Sequence, residues 1–272
     1  MDSKTEVQKY SKKEAIIAVC IIIIVTFLIA LRPLQPLLEA LPIDFGTWSW
    51  TIQVVVMVMI PTIILLLLTK QGFALIGIHR NNLWSAVRLG LLFSLIPILG
   101  GLLPRILYGG EFVGFGLLAV LLIQVLIRAA AEDMLVVGYM QTRLYSLFKS
   151  DAMAIIVGAA LFSFSHVPGW LVSGQFSFDN VAHMVVMIVI WFVMHIVFVT
   201  VFRRYSSLIP VIMMHTTINF MNHQHDIWTF AENYHDSASS IASLFTLIIP
   251  VAVGIWAFVR YRKAKKAKIS TI

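Results

Sequence analysis

Charged residues and cysteine are both scarce in this sequence. Charged residues make up 12% of the 272 positions, which is about half of their share in a typical soluble domain. The single cysteine, Cys20, excludes an intrachain disulfide and a thiolate-rich metal site. Hydrophobic residues fill 60% of the chain, and its mean hydropathy is +0.91. This composition excludes an ordinary soluble domain and is typical of a multi-pass membrane protein.

Several signatures of other chemistries are also absent from the sequence. It lacks the H-E-x-x-H of a site-two zinc protease, the G-x-S-G of a rhomboid-type protease, the G-x-G-D of a presenilin-like protease and the G-x-x-x-x-G-K phosphate-binding loop. Its net charge of +7 comes from cations at chain ends and in short loops, whereas nucleic-acid binding needs a basic face on a folded domain. We therefore expect no nucleic-acid partner.

Long apolar runs predict an all-α fold, a polytopic membrane helix bundle with about eight transmembrane helices. A helix needs about 20 apolar residues to cross the hydrocarbon core of a bilayer. The predicted spans are 15–31, 51–69, 85–103, 114–140, 152–170, 182–202, 207–222 and 240–259. No small-residue cleavage site follows the first run, so we expect it to be retained as a span.

The distribution of lysine and arginine predicts the topology. Alternate loops are rich and poor in these cations, and the positive-inside rule assigns the rich ones to the cytoplasm. The cations of the predicted cytoplasmic side are Lys4, Lys9, Lys12, Lys13, Lys70, Arg80, Arg143, Lys149, Arg203, Arg204, Arg260, Arg262, Lys263, Lys265, Lys266 and Lys268. We therefore predict a cell-membrane protein, surrounded by lipid bilayer, with both termini in the cytoplasm.

Two adjacent carboxylates, Glu132 and Asp133, lie inside the fourth predicted span. An ionisable group at membrane depth is costly unless it meets a partner or a wet cavity, so it marks a functional site. His166 lies in the fifth predicted span. His215 and Asn219 share a face of the seventh, because residues at i and i+4 of a helix point the same way. We predict that these residues meet if the helices pack side by side.

Such a cluster is suited to two kinds of chemistry, and the sequence leaves both open. A carboxylate can act as a general base on water, imidazoles can exchange protons, and an amide can donate to a developing oxyanion. This first reading needs no cofactor. In the second reading, Glu132, His166 and His215 hold a catalytic zinc ion with an open fourth position. We expect His183 and His195, in the sixth span, to make interhelical hydrogen bonds instead.

The motifs around these residues resemble those of the CPBP family of intramembrane proteases, also called the Abi or CAAX protease family. The family pattern is E-E-x-x-x-R, followed by F-x-x-x-H and, on a later helix, by H-x-x-x-N or H-x-x-x-H. The resemblance extends from about residue 114 to 222. The matching positions are Glu132, Asp133, Phe162, His166, His215 and Asn219.

Two positions of the first motif depart from the family pattern. Asp133 replaces the second glutamate and keeps the charge on a shorter side chain. Val137 stands at the position of the motif arginine, so a cation is lost there. Arg128 lies one helical turn before Glu132 on the same face, and we hypothesise that it supplies a substitute partner.

The resemblance implies an intramembrane endopeptidase acting on a membrane-associated or prenylated peptide or protein. Glu132 would activate water with help from His166, and His215 and Asn219 would support the oxyanion. The family is described both as metalloproteases and as metal-independent glutamate proteases, and we favour no obligatory metal.

The chain then divides by role into three parts. Residues 1–113 hold the N-terminal transmembrane helices, residues 114–222 the catalytic core, and residues 223–272 the last helix and a basic tail. The substrate and the oligomeric state are not predicted.

Two other functions stay open at this point. The first is a non-catalytic family member that acts in bacteriocin self-immunity or as a membrane scaffold, for which Val137 is the main argument. The second is a small proton-coupled transporter that uses Glu132 and the histidines as a relay. The lack of visible inverted repeats argues against a transporter.

Overall fold

The described part of the chain is almost entirely helical, as a computed structural model shows. The structure describes residues 10–41, 48–107, 111–112, 114–148, 150–173, 181–222, 228–229, 251–252, 255–256 and 259. In chain order the α-helices are α1 (Lys12–Leu31), α2 (Gln35–Glu39), α3 (Trp48–Val54), α4 (Ile60–Leu68), α5 (Leu83–Leu107), α6 (Phe115–Asp133), α7 (Gln141–Leu147), α8 (Asp151–Phe164), α9 (Val167–Val172), α10 (Val181–Tyr205) and α11 (Ile209–Asn222). The predicted all-α fold is confirmed.

Among the described residues, five helical stretches are long and apolar enough to cross a membrane. They are Lys12–Glu39, Trp48–Leu68, Phe115–Leu147, Asp151–Val172 and Met184–Tyr205. Two shorter apolar helices, Leu83–Leu95 and Ile209–Met221, accompany them. These seven correspond to the first seven predicted spans, and the prediction of a polytopic bundle is confirmed. The eighth, 240–259, lies outside the described residues except for five helical positions.

The first span has a defined start and end. Ser11 and Glu14 form a capping box, in which the Ser11 amide donates to Glu14 Oε2 over 2.7 Å and the Glu14 amide donates to Ser11 Oγ over 3.2 Å. These bonds satisfy amides that have no partner within the helix. At the other end Arg32 adopts a left-handed conformation with φ 47°, and its guanidinium lies 5.1 Å from the Trp50 ring centroid. Both ends of α1 are therefore fixed by side chains.

The chain divides into two compact units. The first comprises residues 1–78 and 131–199, and the second comprises residues 79–130 and 200–272. In the first unit α1 packs against α7, α9 and the helical segment that follows Asp133. This division is one of packing, whereas the three parts expected from the sequence are a division by role, which stays a prediction.

In the second unit α11 lies along α5. Gly90 allows this approach, since a Cβ at that position would overlap Sδ of Met213. Ser94 Oγ donates to the Met213 carbonyl over 3.2 Å. Two short strands of this unit, β1 (Glu111–Phe112) and β2 (Trp228–Thr229), pair antiparallel. The helix that carries the third motif is thus held along its length against α5.

Arg143 departs from its predicted role as a cytoplasmic loop cation. It lies inside α7 with 1% of its surface exposed. Its Nη1 donates to the Tyr139 carbonyl over 2.7 Å, and its Nη2 donates to Gln71 Oε1. Its guanidinium also lies 3.4 Å from the Tyr139 ring centroid and 4.4 Å from that of Tyr10. A planar guanidinium can be buried in this way because it stacks on rings while its edge donates.

Candidate active site

The helix that carries the first motif changes its winding directly after the two carboxylates. α6 ends at Asp133, a π-helix runs over Met134–Met140, and α7 continues from Gln141. All of the π-helical residues are buried. Such segments are rare and occur frequently at functional sites. Hydrophobic pattern alone did not predict this change, because a run that is buried on all sides has no periodicity to reveal its winding.

Glu132 and Asp133 face different surroundings. Glu132 is partly exposed and lines a cavity of the first unit. Asp133 has 1% of its surface exposed. Adjacent residues of an α-helix point about 100° apart, so one carboxylate reaches the cavity while the other is enclosed by protein. Glu132 is therefore the carboxylate of this pair that can meet a water molecule in the cavity.

The second motif lies where α8 ends. Ser165 and His166 form a turn between α8 and α9, within the predicted fifth span. Nδ1 of His166 lies 3.0 Å from the carbonyl oxygen of Phe162, which also accepts a bond of 2.6 Å from Ser165 Oγ. A carbonyl can only accept, so Nδ1 carries the proton in this bond. In the neutral ring Nε2 is then the nitrogen that can accept a proton.

Glu132 and His166 line the same cavity, whose volume is about 190 Å³. A water molecule occupies about 30 Å³ of liquid, so the cavity can hold several. Five residues of α1 supply one wall. The full lining, apart from Glu132 and His166, is Ile22, Val25, Thr26, Ile29, Ala30, Trp50, Val58, Leu135, Val136, Phe162, Ser165 and Gly169. A carboxylate and an imidazole thus share an otherwise mostly apolar chamber with room for water, as general-base chemistry requires.

Gly138 brings the π-helical segment close to a neighbouring turn. A Cβ at this position would lie 2.8 Å from Cβ of Ile76, which is closer than two carbons can approach without strain. Ile76 ends a 3-10 turn over Phe73–Ile76 and has 1% of its surface exposed. The glycine therefore fixes the packing of the segment that follows Glu132.

His195 makes the interhelical hydrogen bond that the sequence predicted, and the side chain of His183 lies outside the described part of the structure. Its Nε2 lies 3.0 Å from Oε1 of Gln141. The Gln141 amide nitrogen donates to the Ala154 carbonyl over 3.2 Å, so its oxygen faces the imidazole as an acceptor. The proton of His195 is consequently on Nε2. This bond joins α10 to α7, and through Ala154 to α8.

Aromatic rings connect His166 with His195 in the first unit. The Phe162 ring stacks on His195 with 5.3 Å between centroids and meets His166 edge-on at 5.2 Å. His166 in turn stacks on Trp191 at 3.7 Å, and Trp191 stacks on Trp170 at 5.2 Å. Sequence reasoning missed Trp191 because it lies in a uniformly apolar helix outside every motif. Its i, i+4 spacing to His195 was the available signal.

His215 and Asn219 lie on α11, in the second unit. The helix is regular over both residues, so they share a face as predicted. His215 has 6% of its surface exposed, and Asn219 is partly exposed. Their role in supporting an oxyanion stays a prediction.

The two departures of the first motif have defined surroundings. Val137 lies in the π-helical segment with 1% of its surface exposed, so an arginine at this position would be a buried cation. Arg128 is half-buried on α6, which is regular between it and Glu132. The pairing of Arg128 with Glu132 stays a prediction.

A zinc ion requires more ligands than the described cavity supplies. Catalytic zinc sites use three protein ligands and one open position. The cavity lining offers two such side chains, Glu132 and His166. Among the described residues no group of three or more His, Cys, Asp and Glu could hold a metal ion. We therefore derive no step through a metal, and the predicted set of Glu132, His166 and His215 stays untested.

The fold and the site define an α-helical membrane protein with a carboxylate and an imidazole in one cavity. Residues 114–221 match a family model described as "Type II CAAX prenyl endopeptidase Rce1-like". This segment contains all three motifs, and it belongs to the CPBP family of CAAX-type intramembrane proteases, as the motifs predicted. No curated protein and no solved structure gives a significant match.

Proposed function

We propose that this protein is an intramembrane endopeptidase that hydrolyses a peptide bond with water activated by Glu132. The observation that carries the proposal is the shared cavity of Glu132 and His166, which lies among helices apolar enough to span a membrane. Family membership at the level of CAAX-type proteases supports the same reaction class.

The reaction follows from the groups that line the cavity. The Glu132 carboxylate takes a proton from water as the water oxygen attacks the carbonyl carbon of the substrate. The tetrahedral intermediate then collapses, the C–N bond breaks, and the nitrogen receives a proton from the Glu132–His166 pair. The products are a carboxylate and an amine. His166 assists through Nε2, because its Nδ1 is engaged with the Phe162 carbonyl.

The oxyanion of that intermediate needs hydrogen-bond donors. By family resemblance, His215 and Asn219 are the proposed donors. A preorganised donor of this kind contributes about 10²- to 10³-fold to kcat. This part of the proposal rests on the motif alone.

The substrate class follows from the lining of the cavity. Ten of the fourteen lining residues are apolar, if Trp50 with its indole nitrogen is counted among them. The wall that α1 supplies is nearly all aliphatic. Such a chamber suits an apolar side chain or an attached lipid next to the scissile bond. We propose a membrane-associated peptide or protein, a prenylated one included, as the substrate.

The test compares purified wild type with Glu132→Gln in detergent, on a quenched peptide library that includes prenylated members. The substitution keeps the shape of the side chain and removes the base. Glu39→Gln is the matched control, because Glu39 lies exposed on α2 and bonds to Gln35 Nε2 over 2.8 Å. We expect cleavage by wild type and Glu39→Gln and none by Glu132→Gln.

A chelator arm separates the two chemistries left open by the sequence. Cleavage that survives chelation supports the metal-independent mechanism. Cleavage that is lost with chelator and restored by zinc would replace that mechanism with a metal-dependent one. Equal cleavage by wild type and Glu132→Gln would overturn the proposal.

A non-catalytic immunity or scaffold protein is the second candidate. The buried Val137 at the position of the motif arginine favours it, because the family pattern has a cation there. In that case wild type cleaves no library member. Cells that express Glu132→Gln then keep whatever bacteriocin immunity or partner binding the wild type shows.

A further inference from the structure

Two pairs of rings, each spaced by four residues, interleave in the first unit. Phe162 and His166 form one pair on the second motif, and Trp191 and His195 form the other on α10. His195 stacks on Phe162, and Trp191 stacks on His166 with an angle of 20° between the ring planes. Each of the two rings of the second motif is therefore stacked against one ring of α10.

We propose that Trp191 is a positioning residue for His166. Trp191 and His195 lie one helical turn apart, so they act from the same face of one helix. His195 is anchored by its bond to Gln141 and has 0% of its surface exposed. This anchoring fixes the register of α10 against Phe162, and the register places the Trp191 indole flat against the imidazole of His166.

The stack adds a second kind of contact to His166. The bond from Nδ1 to the Phe162 carbonyl holds one ring atom. The indole covers the ring face with 3.7 Å between centroids and so resists tilting of the ring plane. Stacked aromatic pairs contribute beyond the area that they bury. Trp191 thereby sets the direction in which Nε2 points.

The consequence for catalysis rests on the proposed function. Proton exchange between Glu132 and His166 requires that Nε2 stay aligned in the cavity. A displacement of about 1 Å at a reacting group can lower the rate about 100-fold. Trp191 does not itself line the cavity, so its loss is expected to change kcat far more than KM.

The first arm of the experiment measures the stack independently of activity. The emission of an indole responds to the group stacked on it, so His166→Gln is expected to change the emission of the folded protein. In a Trp191→Phe background the same substitution is expected to change it much less. An equal change in both backgrounds, or none in either, would show that the imidazole does not stack on Trp191, and the proposal would fail.

The second arm measures cleavage by Trp191→Phe, Trp191→Leu and the control Trp84→Leu. Trp84 is 76% exposed and lies in the other unit. We expect Trp191→Leu to lower kcat roughly 10- to 100-fold, Trp191→Phe to retain most of it because a flat ring remains, and Trp84→Leu to match wild type. In a His166→Gln background Trp191→Leu should cause no further loss.

The outcomes separate the two proposals. A Trp191→Leu variant that folds and cleaves with the wild-type kcat overturns the positioning role and leaves the endopeptidase intact. A wild type that cleaves nothing overturns the endopeptidase, and the fluorescence arm then decides whether Trp191 holds His166. A melting curve in detergent shows whether each variant is folded. If Trp191→Leu is not folded, the kcat of Trp191→Phe is compared with that of wild type instead.

Discussion

Nε2 of His195 donates a hydrogen bond to Oε1 of Gln141 over 3.0 Å, at a point where both side chains are 0% exposed. Gly158 makes room for this pair. A Cβ on Gly158 would overlap Gln141 Oε1 and lie 3.1 Å from His195 Nε2. The bond between α7 and α10 thus depends on a residue of α8 that has no side chain.

Gly158→Ala is therefore expected to destabilise the protein. The added methyl group must displace the amide of Gln141, and overpacking of this kind costs about 1–3 kcal/mol. The loss would appear as a lower melting temperature in detergent. Gly116→Ala is the matched helical control, since nothing lies within 4 Å of its Cβ, and it should be neutral or stabilising by up to about 1 kcal/mol. Equal effects of both substitutions would contradict the prediction.

Gly138→Ala tests the packing of the π-helical segment. Its Cβ would lie 2.8 Å from Cβ of Ile76, so the substitution should lower the melting temperature. Ile76→Gly alone removes a buried side chain together with its Cβ and should cost at least about 2–5 kcal/mol. The double variant should be more stable than the sum of the two losses predicts, because glycine at 76 removes the Cβ that the new methyl group would meet. Additive losses would indicate that the two residues do not touch.

Arg143→Lys is expected to behave as a disruptive change. Lysine cannot stack on Tyr139 and Tyr10 and also donate to both partners of the guanidinium. A desolvated cation–π contact contributes about 2 kcal/mol, which sets the expected loss in unfolding free energy. Arg204→Lys is the control, because Arg204 is exposed and its guanidinium lies 5.4 Å from the Tyr205 ring. Its expected loss is about 0.5–1 kcal/mol or less.

Tyr10 should give the protein a dependence on alkaline pH. Burial raises the pKa of Tyr10 above its usual value of 10.0, although the positive charge of Arg143 opposes the shift. A raised folded-state pKa means that the folded protein holds its proton where the unfolded chain has released it. The contribution of Tyr10 to stability is therefore fully present below pH 10, and it is lost as the pH rises through the folded-state pKa. Melting from pH 8 to 11 should show a smaller loss for Tyr10→Phe than for wild type.

Asn219→Ala tests the oxyanion role. Loss of a donor that acts in the transition state should lower kcat about 10²- to 10³-fold and leave KM nearly unchanged. Gln35→Ala, which removes an amide from α2, should keep the wild-type kcat. An Asn219→Ala variant with the wild-type kcat would remove Asn219 from the proposed mechanism.

Much of the fold and part of the site could be predicted from the sequence. Span length and hydropathy depend on composition over about 20 residues, so seven helices were found where apolar runs predicted them. Motif spacing selected Glu132, Phe162 and His166, which the structure brings together in the first unit. The bounds were less accurate. The fourth span extends to Leu147, and the fifth contains the turn at His166.

The sequence by itself determined that this chain is largely helical, apolar enough to span a membrane and, over residues 114–221, similar to the CPBP family, because periodicity, hydropathy and motif spacing are properties of neighbouring residues. The tertiary structure decided what surrounds each candidate. It placed α1 along the cavity, buried Arg143, set Trp191 against His166 and matched His195 to Gln141. These contacts join segments far apart in the chain, and which ring faces which depends on how the helices pack, a choice that no local pattern encodes.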